Sequence, residues 1–188
     1  AFIGLESDRS GTPTEQITTP SQAYDVGPKV GMKASLGMAL KVDTSPLDAF
    51  LDTLSGITFN QVLFEIGEID EVPEGQTPLF SYYIYFTDQT NKFIRRRVDG
   101  NPVTLQLSGQ AQTELDEDGN TRLPVRAPAQ TIFSELNQNY AVDISGYLNA
   151  LFRGEITRTD WLLYGGLVNN VTQDDDFKKS LRQFIVDK

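Results

Sequence analysis

Residues 30–42 read VGMKASLGMALKV, and this stretch decides the fold class. Val30, Met32, Ala34, Leu36, Met38, Leu40 and Val42 fall on every second position, with Gly31, Lys33, Ser35, Gly37, Ala39 and Lys41 between them. Strict alternation places one set on the core face of a strand, whereas a helix would scatter the same residues around its circumference. The expectation is one long strand, with Met32, Leu36, Met38 and Leu40 pointing into the core.

Working outward, residues 6–29 are rich in Ser, Thr, Pro, Gly and charge and read as an extended loop or a junction with a preceding segment. Downstream, a short helix is expected over 46–54. Ser45 is a candidate N-cap, Pro46 suits the first helical position, Asp48 lies near the positive end of the dipole, and Gly56 is the stop. Leu47, Phe50, Leu51 and Leu54 would form its apolar stripe. Ile57–Ile66 is apolar at nearly every position and reads as a central strand covered on both faces. Leu79–Thr87 (LFSYYIYFT) is another strand, with Phe80, Tyr82, Ile84 and Phe86 on one face. Phe93–Val98 and Val103–Leu107 read as shorter strands around the turn Asp99–Pro102, and Asp116–Asn120 as a hairpin tip. A second helix is expected over 145–153. Ser145 is its cap, Tyr147, Leu148, Leu151 and Phe152 its apolar face, and Gly154 its stop. Trp161–Leu167 reads as a buried strand, 169–179 as a polar stretch, and Leu181–Val186 as a last strand. The predicted architecture is mainly β: a jelly-roll-like β-sandwich over 30–188, with the two short helices capping its ends and 1–29 as an N-terminal loop.

Composition narrows the chemistry. The 188 residues contain no Cys and no His. That removes disulfides, thiolate nucleophiles, Ser-His pairs and imidazole metal ligands. A net charge of −10 argues against nucleic acid, whose affinity comes from clustered Lys and Arg. Arg95-Arg96-Arg97 is the local exception and reads as the edge of a solvated strand. No apolar run approaches the ~20 residues that cross a bilayer. The chain opens on Ala1-Phe2-Ile3-Gly4-Leu5 without a start methionine or leader, so a processed or partial chain is expected.

The order of pieces resembles a known family. A Leu-rich helix is followed by SGITFNQVLFEIG (55–67), the Tyr-rich strand YYIYF (82–86), YAVDISGYLNALFRGEITRTDWLLYGG (140–166) and DFKKSLRQFIVDK (176–188). Over residues 28–188 this is similar to the C-terminal half of the Bacteroidota surface-lipoprotein family catalogued as domain of unknown function four-two-seven-zero. The resemblance implies a place at the cell surface or outer membrane, with a lipid anchor carried by a segment outside these residues. Its matching motifs are fold motifs, and none is a catalytic signature.

Candidate chemistry is sparse. A glycosidase needs paired carboxylates, for which Glu65 and Asp143 are candidates. Asp143, however, lies where it would support a helix start. Asp116-Glu117-Asp118-Gly119-Asn120 and Asp174-Asp175-Asp176 are candidate calcium loops, but the first lacks the EF-hand spacing and reads as a turn. Tyr82, Tyr83, Tyr85 and Trp161 could stack on sugar rings, or else pack in the core. No catalytic, cofactor or metal residue is assigned. The expected function is non-enzymatic protein–protein contact with other surface or outer-membrane proteins, as an accessory subunit of an envelope assembly. A carbohydrate-binding module that takes polysaccharide is the alternative, and a carboxylate-pair glycosidase is the weaker one.

Overall fold

The computed structural model of the chain describes residues 8–72, 77–109 and 112–188. The elements run β1 (Lys29–Lys33), β2 (Leu40–Val42), α1 (Pro46–Asp52), β3 (Leu63–Ile66), β4 (Ile69–Glu71), β5 (Ser81–Thr87), β6 (Arg95–Val98) and β7 (Asn101–Thr104). They continue with β8 (Glu114–Leu115), β9 (Thr121–Arg122), β10 (Gln130–Ser134), β11 (Asn139–Asp143), α2 (Ser145–Phe152), β12 (Asp160–Tyr164), α3 (Val171–Lys179) and β13 (Gln183–Asp187). The protein is mainly β and sandwich-like, built from antiparallel, curled sheets.

The main sheet has six strands in the order β2-β12-β5-β10-β11-β3. Register places Trp161 beside Phe86, Leu163 beside Ile84, Thr131 beside Tyr82 and Tyr140 beside Ile66, so these side chains share the inner face. The sheet is strongly curled. Strands β12 and β3 are four places apart, which a flat sheet would separate by roughly 19 Å at about 4.8 Å per strand. Yet Phe64 of β3 and Trp161 of β12 meet edge to face with ring centroids 5.3 Å apart. A second sheet, β1-β13-β4, lies over the inner face, and its Phe184 ring is 5.1 Å from that of Tyr140. Helix α2 covers the rest, with Tyr147 against both Trp161 (5.3 Å) and Phe86 (5.7 Å).

The 30–42 stretch is not one strand. Its alternation carries β1 into the small sheet, then a 3-10 turn over Ala34–Leu36 and Gly37 at φ 62° turn the chain into the large sheet as β2. Only Met32 of the four expected core residues is fully buried, whereas Leu36 is exposed. Likewise, Ile57–Ile66 yields a strand only from Leu63, and that strand is an edge, with Leu63 and Glu65 facing solvent. Phe80 precedes β5 and is exposed, while Tyr82, Ile84 and Phe86 are buried as expected. The turn at 99–102 is tighter than expected. Asp99 and Gly100 both take positive φ, joining β6 to β7 as a two-residue hairpin.

The two expected helices are present, but their caps differ. Neither Ser45 nor Ser145 caps through its side chain. Instead the acid two residues earlier accepts the serine N–H: Asp43 from Ser45 and Asp143 from Ser145, both at 2.8 Å. Hydrogen bonding from the two serines, through the Ser145 side chain and backbone at Asp143 and the Ser45 backbone and side chain at Asp43, holds both carboxyls below the ordinary carboxylate value. Gly154 does take φ 69° after α2. A third helix, α3, occupies the stretch read as polar. Asn170 caps it by accepting the Gln173 N–H, and Phe177 packs edge-on against Tyr164 at 4.7 Å on the outer face of the main sheet. The Gly165-Gly166 pair makes that docking possible, since a Cβ at Gly165 would run into the Phe177 ring and one at Gly166 into the Asp174 carboxylate and the Tyr164 ring. Residues 8–28 form turns, tied to the body through Asp25–Lys188 and a bond from Asn91 to the Ser21 carbonyl.

Candidate functional site

An open groove of about 610 Å³ is lined by α1 and its exit, the last turn of α2 and the segment before β12. Its apolar floor is Leu51 and Leu54 from α1 and its exit loop, with Leu151 and Phe152 from the last turn of α2. Asp48, Asp52, Thr157 and Arg158 form the polar wall.

The wall is organised by Arg158. Its Nε donates to Asp48 Oδ2 at 2.6 Å, and one Nη donates both to Asp160 Oδ1 and to Thr44 Oγ1 at 3.1 Å. Thr44 is buried, and its hydroxyl donates in turn to the Thr159 carbonyl at 2.8 Å. Lys41 takes the other Asp160 oxygen at 3.1 Å. Such half-exposed pairs contribute little stability, about 0–1 kcal/mol each. Their effect is to fix the segment before β12 against α1 and so hold the groove open.

Beside the groove the surface is apolar. Phe50 is 48% exposed. Phe59 sits between Phe50 and Phe152, with ring centroids 6.4 and 6.1 Å away. The loop that carries Phe59 is pinned by one side chain: Asn149 of α2 accepts the Phe59 N–H at 2.9 Å and donates to its carbonyl at 2.8 Å. An amide that mimics a backbone partner twice over gives an otherwise irregular loop a defined position.

The residues singled out from sequence are placed as follows. Tyr82, Tyr85 and Trp161 are buried, so they form no sugar platform; only Tyr83 is half-exposed. Burial pushes the Tyr82, Tyr85 and Tyr140 phenols above their ordinary value. Glu65 and Asp143 are diagonal neighbours on the outward face of β3 and β11, on open surface and not in a cleft. Asp143 is also occupied by the α2 start. Asp116 accepts the backbone N–H groups of Asp118 and Asn120, so its carboxylate closes the β8–β9 hairpin. Asp174 accepts from the Tyr164 hydroxyl and Lys178, which makes it part of the α3 docking. Among the described residues, no group of three or more acidic side chains is arranged to hold a metal ion. Alternation splits Arg95-Arg96-Arg97. Arg96 turns inward to Glu114 at 2.6 Å and the Leu123 carbonyl, while Arg95 and Arg97 are exposed.

The groove residues Asp52, Thr157 and Arg158 and the neighbouring Phe59 carried no motif. One signal was available. The stripe Leu47-Phe50-Leu51-Leu54 is wider than a seven-residue helix needs to dock, and only Leu51 of it is fully buried.

No family model, curated protein or solved structure matches the chain. Among the described residues, no helix is long and apolar enough to cross a membrane.

Proposed function

We propose that this chain is a non-enzymatic binding protein that works by protein–protein contact, through the end of the sandwich formed by α1, α2 and the 53–60 loop. The observation that carries the reading is the apolar surface around the groove. Phe50 is exposed there against half-buried Phe59, which also meets Phe152, and half-buried Leu54, Leu151 and Phe152 line the groove together with Asp48, Asp52 and Arg158. Contiguous apolar surface rimmed by polar groups is the usual mark of an interaction site, and buried aromatic anchors supply most of the energy of such contacts. The proposed location, at the cell surface or outer membrane with other envelope proteins as partners, rests on the family resemblance alone. A sugar-binding role is less well supported, because only Phe50 of this ring group is exposed, and the Phe50, Phe59 and Phe152 rings tilt by 37° and 81° along the series and present no common plane.

The test uses the purified chain as bait on native envelope extracts, with Phe50→Asp and Leu54→Asp as controls that melt like the parent. Proteins retained by the parent and lost with both variants support the reading. Equal retention by all three refutes it. Cleavage of a polysaccharide by the pure protein, abolished by removing one carboxylate, would overturn the non-enzymatic assignment.

A further inference from the structure

We infer that the α1–α2 groove takes a cationic amphipathic polypeptide segment. Two or three large apolar side chains would lie over Leu51, Leu54, Leu151 and Phe152, with a Lys or Arg against Asp52. The inference rests on the contact reading above and specifies the partner's chemistry.

Charge complementarity decides the sign. Arg158 is the cation of the groove wall, and it is already held by Asp48, Asp160 and Thr44. Asp160 is further neutralised by Lys41. Asp52 is different: it is exposed and has no hydrogen bond or ion pair among the described residues. It is also misplaced for stability. Asp52 is the last residue of α1, where the dipole favours a cation, and the last turn holds no basic residue. Asp48 sits four residues before it, on the same helix face and with the same charge. An acid that breaks two local rules without an internal partner is a position where function takes precedence over folding. An incoming cation satisfies both.

Shape decides the class. The volume of about 610 Å³ is within the roughly 300–1,000 Å³ of sites that hold drug-sized groups, which suits a few side chains and not a whole helix. The floor is mainly leucine, which favours aliphatic anchors over the flat faces of sugars. The hydrogen-bonding groups of Arg158 and Asp48 are engaged with each other, which leaves few for a hydroxyl-rich ligand.

The experiment selects binders from a display library of random peptides about four helical turns long, on the parent and on Asp52→Lys. The expected parent binders carry Leu, Met or Phe at i and i+3 or i+4 with an adjacent Lys or Arg. A synthetic representative binds about tenfold tighter than its Lys→Glu counterpart. Asp52→Lys reverses that preference while its melting temperature holds or rises. Leu54→Asp and Leu151→Asp, checked for parent-like circular dichroism, each remove binding. Binders without a basic bias, or indifferent to Asp52→Lys, overturn the inference and leave the contact surface standing. Binders that hold both leucine variants as tightly as the parent lie elsewhere and overturn both readings. A selection that enriches nothing overturns the inference as well.

Discussion

Replacing Phe184 by Ala tests whether the small sheet is structurally part of the sandwich. Phe184 is fully buried, pairs in register with Met32 across β1, and places its ring 5.1 Å from Tyr140 in the other sheet. A buried aromatic side chain removes at least ~150 Å² from water, which at ~25 cal/mol per Å² is about 3–4 kcal/mol. The cavity left between Tyr140 and Met32 adds to this, so a loss of about 3–5 kcal/mol is expected. That is a large share of the ~5–15 kcal/mol that holds a domain together. With a urea dependence near ~2 kcal/mol per molar, the unfolding midpoint followed by circular dichroism should fall by about 1.5–2.5 M. Leu181→Ala, at a 62% exposed site just before β13, should change stability by no more than ~0.5 kcal/mol. The loss should also be local at first. Among the described residues, β13 is the strand that pairs along the length of β1, so β1 amides should exchange faster in Phe184→Ala before those of β5 do. A loss below ~1 kcal/mol, or unchanged protection of β1, would show that the small sheet does not cover the core.

Three further outcomes follow from specific contacts. Asn149→Ala strands both backbone groups of half-buried Phe59 and should cost about 1–3 kcal/mol, with faster exchange of the Phe59 amide; unchanged exchange would mean the loop is held by something else. Asp143→Ala should cost ~1 kcal/mol by thermal melting while Ser145→Ala costs much less, because Asp143 is the acceptor at the α2 start; the reverse order would restore Ser145 as the cap. In alkali, Tyr82, Tyr85 and Tyr140 are held above the ordinary phenol value of 10.0 by burial. Groups with a raised folded pKa contribute fully below the unfolded value, and that contribution is lost as pH climbs from there through the folded one. Stability should therefore fall above pH 10.0, with their tyrosinate absorbance appearing together with unfolding. Tyr24, which Thr18 and the Thr19 N–H hold below the ordinary value, should ionise earlier in the folded protein. A single smooth titration of all tyrosines without unfolding would contradict the burial.

Where sequence reading worked, burial was decided by the element itself. Tyr82, Ile84 and Phe86 alternate on β5, one of the two middle strands of the main sheet, and Trp161 and Leu163 alternate beside them, so period and environment agree. Helix α2 was legible for the same reason, since Tyr147 and Leu148 lie on one face at the edge of the core. It failed where a local device redirects the chain. The alternation from Val30 to Val42 is real on both sides of Gly37, but a left-handed residue with a 3-10 turn before it moves the chain from one sheet to the other. The alternation places Gly37 on the smaller, more polar face, although a glycine inside a strand pattern is itself a turn signal. Helix α3 gives no apolar pattern because its stretch is polar. Its signals are capping and charge: Asn170 at the start, Lys178 and Lys179 at the end, and Asp174 four residues before Lys178. A short helix that buries a single aromatic, Phe177, has no apolar stripe to find.

The candidate site was illegible for a different reason. Sequence patterns report what an element buries against its own fold, and the groove is made of residues that are only partly used that way. Leu51 is buried by folding, whereas Phe50 remains half-exposed and Leu54 half-buried on the same helix and its exit. No period distinguishes those fates, because the neighbours that decide them come from α2 and from the segment around Arg158, about a hundred residues away. Asp52 was visible as an acid but not as an unpaired one. Its lack of a partner emerges only once Arg158 is seen to be held by Asp48 and Asp160. Had Arg158 reached Asp52 instead, Asp48 would be the unpaired acid of the groove, with the same net charge but at the first turn of α1, where the helix dipole favours it. The same four side chains in the observed pairing leave one carboxylate open at the mouth. The preference for a cation follows from the excess acid in the groove lining, and its placement at Asp52 from that choice of partners.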